Sequence, residues 1–173
     1  MIPTNIEMNT KKLITNIAIL LVLIANIGCD QISKSIVRQK VGYYENISLI
    51  SHYFTLTRVE NDGAFLSVGS ALPGTLKFIL LSGIPILALA FGIGYMFLRK
   101  NISKMSMLAL SFAIGGGIGN IYDRVVYGSV TDFLHIDLGV FQTGIFNMAD
   151  VSIMVGMGLF LAQSFYNRNQ LSR

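Results

Sequence analysis

The chain has 173 residues, 53% hydrophobic and 13% charged, with a mean hydropathy of +0.61, whereas soluble domains carry roughly 25% charged residues. That balance excludes an ordinary soluble globule and indicates a membrane protein, one integral membrane domain over residues 1–173 whose apolar residues are gathered into long blocks. The formal charge of +4 is scattered rather than striped, which leaves nucleic-acid binding without support, and the single Cys29 with the distant His52 and His135 offers neither an internal disulfide nor metal-ligand spacing.

Residues 1–12 are polar and end in Lys11-Lys12, and Leu13 to Cys29 then contains no charge. That run is just long enough to span a bilayer core, which takes about 17–25 residues. Ile27-Gly28-Cys29 after a basic start also resembles a lipoprotein signal peptide with Cys29 as the lipidated residue; Asn26 and the further spans downstream speak against it. Residues 30–77 hold most of the mixed charge. Asp30 and Lys34, four apart, would share a face of a continuing helix as an ion pair. Residues 47–51 and 52–59 are rich in β-branched and aromatic side chains and break at Asn61-Asp62-Gly63, which predicts a small sheet at the membrane surface.

The second expected span is 78–98, with Pro85 as a kink tolerated where neighbours satisfy the freed backbone. The third is 105–122, where glycines at 115, 116, 117 and 119 permit close helix approach. The fourth, 145–163, contains Asp150 as its only charge. Between them, 123–144 is an acidic connection able to pair with the surface sheet. The predicted fold is therefore a membrane all-α, four-transmembrane-helix bundle with a small extracytoplasmic β-sheet or cradle. Lys11, Lys12, Arg99, Lys100, Lys104 and Arg168 flank the span ends that should face the cytoplasm, putting both termini inside and 30–77 and 123–144 outside. Five basic residues in the first outer loop weaken that rule locally.

An acid inside an apolar run costs about 2.5–3.5 kcal/mol on insertion scales and marks a functional site by default. On this topology Asp123, at the end of the third span, and Asp150, at the start of the fourth, lie at similar depth. Two carboxylates sharing a dry site titrate as a pair, one donating a proton to a carbonyl while the other activates water. Taken alone, Asp123-Arg124 also reads as an ordinary charged helix end, and Asn120 and Asn147 as hydrogen-bonding bridges between helices. A small transporter relaying ions through the two acids is the main alternative, though neither a second set of membrane acids nor an inverted repeat is visible. A purely structural or lipid-anchored protein would leave Asp150 without a task.

Five ordered motifs, Asp30-Gln31-Ile32-Ser33-Lys34, Asn61-Asp62-Gly63-Ala64-Phe65, Gly119-Asn120-Ile121-Tyr122-Asp123-Arg124, Val130-Thr131-Asp132-Phe133 and Phe146-Asn147-Met148-Ala149-Asp150, resemble the lipoprotein signal peptidase (signal peptidase II) family over essentially the whole chain. The resemblance implies an intramembrane aspartic endopeptidase of the bacterial inner membrane, needing no cofactor, that cleaves prolipoproteins before a diacylglyceryl-modified cysteine and is inhibited by globomycin. It implies Asp123 and Asp150 as the catalytic pair, with Asn61, Asn120, Arg124 and Asn147 positioning dyad and substrate, and Asp30 and Lys34 supporting. Asp132 lacks an apolar-run context and is expected to be structural. Such a bundle, lying among membrane lipid with an internal site, could work as a monomer. The extension Met1–Thr10 has no derivable role, and Cys29 beside Asp30 is a coincidental likeness to the substrate.

Overall fold

The structure is a computed structural model and describes residues 5–64, 68–99 and 102–171. Within it run helix α1 (Asn5–Lys40), strands β1 (Asn46–Ile50) and β2 (Phe54–Asn61), helix α2 (Gly74–Phe78), a π-helical turn (Ile79–Gly83), helices α3 (Ile84–Leu98) and α4 (Lys104–Tyr127), strand β3 (Val130–Ile136) and helix α5 (Met148–Leu171). Among the described residues four helices are long and apolar enough to cross a membrane: Leu13–Lys40, Gly74–Leu98, Lys104–Tyr127 and Met148–Arg168. Phe65 and Lys100, named above, lie outside the described residues, as do the first four residues of the N-terminal extension.

The first helix differs from its expected end at residue 29 by running on to Lys40. It can do so because Asp30 and Lys34 neutralise each other across one turn, Nζ to Oδ2 2.9 Å, with both side chains fully buried. The second span is continuous but departs from regular α-geometry just before Pro85, which lacks the N–H that would reach the carbonyl four residues back. The π turn immediately before it absorbs the irregularity.

Helix α4 is bounded by local chemistry: Ser103 Oγ accepts from the Ser106 backbone N–H at 3.0 Å, and Gly128 ends the helix at φ 79°. Its glycines face three different neighbours. A Cβ at Gly115 would lie 2.9 Å from Asn26 Cβ of α1, one at Gly116 2.9 Å from Ile153 Cγ1 of α5, and one at Gly117 2.8 Å from Leu89 Cδ2 of α3. Consecutive helical residues are about 100° apart, so three in a row let α4 sit at the centre with a partner on each side.

The three strands form an antiparallel sheet in the order β1-β2-β3. Strand β3 comes from the 123–144 connection and pairs Asp132 with Val59 and Val130 with Asn61. The sheet seats on the end of α1 through Val37, Val41 and Phe133, with Ile47, Leu56, Leu134 and Met148 around them. Phe146 bridges to Leu134, which returns the chain to the mouth of the bundle just before α5.

Candidate active site

Helix α5 begins with a reciprocal cap. The Asn147 side-chain oxygen accepts from the Asp150 backbone N–H at 3.0 Å, and Asp150 Oδ2 accepts from the Asn147 N–H at 3.1 Å. The motif Asn147-Met148-Ala149-Asp150 therefore starts the helix and aims two side chains at one place. Asp150 lines a cavity of about 270 Å³ whose wall is built by Asn120 and Arg124 of α4, Leu80, Leu81 and Pro85 of the second span, Val130 and Asp132 of β3, and Asn61, Ala64 and Ile145 beside them. The lining thus combines aliphatic side chains with two carboxylates, two amides and a guanidinium.

The amides hold the carboxylates. Asn120 donates to Asp150 Oδ1 at 2.8 Å, Asn147 donates to Asp132 Oδ1 at 2.6 Å, and Asn61 donates to Asp132 Oδ2 at 2.9 Å. Asn147 thus touches both acids, one through its side chain and the other through its backbone. Burial pushes the Asp132 carboxyl up to about 6 and the nearby Asp150 charge adds to this, while the Asn61 and Asn147 donors and the Lys34 charge pull the other way. Arg124 closes the rim: one terminal nitrogen donates to the Gly63 carbonyl at 2.9 Å and the other to the Asn120 carbonyl at 3.5 Å. The loop after β2 is thereby tied to the end of α4.

Asp123 is elsewhere. The expected partner of Asp150 does not line this cavity; it is fully buried between α1, α4 and β3. Its Oδ2 meets Lys34 Nζ at 3.1 Å and an Arg38 terminal nitrogen at 2.9 Å and accepts from the Thr131 N–H at 3.3 Å, while Oδ1 accepts from Gln31 at 3.2 Å. The physical reason is helix phase. Asp123 is one residue before Arg124 and three after Asn120, and a step of about 100° suffices to turn it from the cavity toward α1. Asp123 is paired with two cations and has no face on the cavity, whereas Asp132 and Asp150 meet neutral amides and line it.

Of the other expected residues, Asn61, Asn120 and Arg124 line the cavity with Asp150, and Asn147 bridges the acids. Asp30 and Lys34 lie behind that layer: Asp30 accepts from the Ala149 N–H at 2.9 Å, and Lys34 reaches Asn120 Oδ1 at 2.9 Å. Asp132, expected to be structural, is the acid that shares the cavity with Asp150. A signal for it exists in the sequence. An aspartate flanked by Val130, Thr131 and Phe133 in a strand of buried residues is as uncompensated as Asp150 in its helix, and the cost of burying an acid holds for strands as it does for helices. Arg38, Gln31 and Thr131, which hold Asp123, carry no such signal, because a polar residue near a surface loop is ordinary.

Residues 19–166 match the family described as Signal peptidase (SPase) II. Among curated relatives, a lipoprotein signal peptidase of Sulfurihydrogenibium sp. (strain YO3AOP1) is 32% identical over 157 residues, covering 90% of this chain and 94% of that protein. One from Borrelia hermsii (strain HS1 / DAH) is 31% identical over 172 residues, covering 96% and 97%. A bacterial membrane enzyme solved by the in meso method at 2.3 Å resolution superposes with a TM-score of 0.77 at 26% identity, over 88% of this chain and 90% of its own.

Proposed function

The chain belongs to the signal peptidase II family, and from that premise we propose that it is an aspartic endopeptidase whose acid pair is Asp132 and Asp150, removing signal peptides from prolipoproteins before a lipid-modified cysteine. The observation that carries the reading is the pair of carboxylates bridged by Asn147 in the wall of one cavity. Asp132, with its carboxyl near 6, is the proton holder and donates to the scissile carbonyl. Asp150 takes the proton from the attacking water. Collapse of the tetrahedral intermediate breaks the C–N bond as Asp150 passes its proton to the leaving amine and the hydroxyl proton goes back to Asp132, which restores both acids. Asn61 and Asn120 keep the two acids at fixed orientation, so little reorganisation is needed during the reaction.

The depth of the cavity suits the substrate. It lies where the C-terminal end of α4, the N-terminal end of α5 and the sheet converge. A diacylglyceryl cysteine is held by its acyl chains at the headgroup boundary, which brings the bond before it to that level. The basic residues Arg99 and Lys104 at the opposite end of α3 and α4 favour placing the cavity on the extracytoplasmic side, with both termini in the cytoplasm. One chain supplies both acids, so a monomer suffices, and a globomycin-type peptide would compete for the same wall.

The test is cleavage of purified, lipid-modified prolipoprotein by the wild type and by Asp132→Asn, Asp150→Asn and Asp123→Asn variants. Asp132→Asn and Asp150→Asn should each lower kcat by about 10³-fold or more without lowering the melting temperature, and globomycin should block the wild type. Asp123→Asn should instead lower the melting temperature, because it weakens a buried ion pair. Near-normal turnover by Asp132→Asn or Asp150→Asn would overturn the assignment, and equal cleavage of unlipidated substrate would remove lipid recognition from it.

A further inference from the structure

Lys34 lies outside the cavity wall and is fully buried, yet it is one hydrogen bond away from the layer that holds the acids. Its ammonium carries three protons and faces three acceptors: Asp30 Oδ2 at 2.9 Å, Asp123 Oδ2 at 3.1 Å and Asn120 Oδ1 at 2.9 Å. The first two contacts balance charge. The third does not, because Asn120 is neutral and an ammonium there is not required for its burial.

We propose that Lys34 is a positioning residue for the reaction: it locks the Asn120 amide with its oxygen toward α1, so that the amide nitrogen must face Asp150. An amide can rotate by half a turn at little steric cost, and a flipped Asn120 would present its oxygen to the Asp150 carboxylate, acceptor against acceptor. An ammonium has no lone pair and cannot accept from the flipped NH₂, so the flipped state puts donor against donor on one side and acceptor against acceptor on the other. The observed state has neither clash, with Nδ2 donating to Asp150 Oδ1 at 2.8 Å. Asn147 Nδ2 also donates to Asn120 Oδ1, at 3.1 Å, but it is committed to Asp132 as well and is neutral; a charge-assisted bond is roughly twice as strong. The positive charge on the oxygen also polarises the amide and strengthens its N–H as a donor.

The inference rests on the assignment of Asp150 to the chemistry, and its test separates the two. Lys34→Met alone would strand Asp30 and Asp123 without their cation, so the variant to use is the charge-balanced Lys34→Met/Asp30→Asn, compared with Asn120→Ala and with all three changes together. Each protein is checked by its melting temperature, and kcat and KM are measured on lipid-modified prolipoprotein. Lys34→Met/Asp30→Asn and Asn120→Ala should each lower kcat about 10- to 100-fold, the scale of a misplaced catalytic group, with KM within about threefold. Measured well below pH 6, where Asp132 holds its proton with or without the Lys34 charge, the triple variant should be no slower than Asn120→Ala, because Lys34 then acts through that amide. Multiplying losses in the triple variant, or a normal kcat in folded Lys34→Met/Asp30→Asn, would overturn the proposal. If the charge-balanced variant does not fold, Asp30→Asn serves as the background for an otherwise identical cycle with Asn120→Ala and Lys34→Gln, judged by the same criterion of additivity. Retained activity in Asp150→Asn would instead overturn the assignment of the acid pair beneath it.

Discussion

At the scale of single residues, Asp30, Asp123, Asp132 and Asp150 differ in whether their oxygens meet cations or neutral amides and in whether they line the cavity. Asp30 and Asp123 share Lys34, Asp123 also has Arg38, and neither lines the cavity. Asp132 and Asp150 have neutral amide donors and a cavity in front of them. Because burial raises the Asp132 carboxyl to about 6 from an ordinary 3.8, the folded protein binds its proton more tightly than the unfolded chain. By linkage, stability falls as pH rises between those values, by about 3 kcal/mol in total. Activity has the matching sign: if Asp132 must hold the proton, kcat/KM declines on the alkaline side with an apparent value near 6. Asn61 donates to the ionised carboxylate, so Asn61→Ala should move that alkaline limb to higher pH, measured as a full pH profile against wild type. A limb that stays in place or moves down would separate Asp132 from the proton-donating step.

At the scale of elements, α4 is the helix that the others pack around, and its glycine run is what permits this. A Cβ on Gly116 would overlap the Ala149 carbonyl oxygen as well as crowd Ile153, pushing α5 away at the level of the cap that carries Asp150. Gly116→Ala should therefore cost about 1–3 kcal/mol, the usual range for overpacking, and appear as a lower melting temperature in detergent. Gly94 of α3 has nothing within 4 Å of the place a methyl group would take, so Gly94→Ala should be neutral or slightly stabilising, since alanine is the better helix former. Some contacts between the long helices are polar and short, with Ser152 donating to Asn26 at 2.8 Å and Ser106 to Gln163 at 2.7 Å. Such bonds join helices where lipid supplies no hydrophobic driving force.

At the scale of the whole molecule, the distribution of polarity is inverted relative to a soluble domain. The largest fully buried side chains are Lys34, Asn147, Thr131, Asp30, Asp123 and Ser111, whereas Leu20, Leu21, Ile24, Leu87 and Phe91 are exposed. An apolar exterior around a polar interior is stable when hydrocarbon is the solvent and every buried polar group finds a partner inside. The proposed topology is tested by single cysteines in a Cys29→Ser background. Val140→Cys, in the fully exposed turn after β3, should react with a membrane-impermeant maleimide in intact cells, and Lys104→Cys, at the start of α4, only after permeabilisation. The reverse pattern would invert the assigned orientation.

The sequence by itself determined the number of long apolar helices, the position of the sheet and the family, because these depend on hydropathy, alternation and local caps, which are properties of contiguous residues. It also singled out Asp150, an uncompensated acid in an apolar run. Which acid shares the cavity with Asp150 depended on tertiary structure. Asp123 and Asp132 are nine residues apart on either side of Gly128, and the choice between them rests on a helix phase, on Lys34 and Arg38 arriving from α1, and on β3 folding back against β2. None of those contacts is local, so spacing along the chain carries no record of them. The apolar blocks set where an acid is costly; only the packed bundle decides which acids are already matched by a cation and which are left facing the cavity.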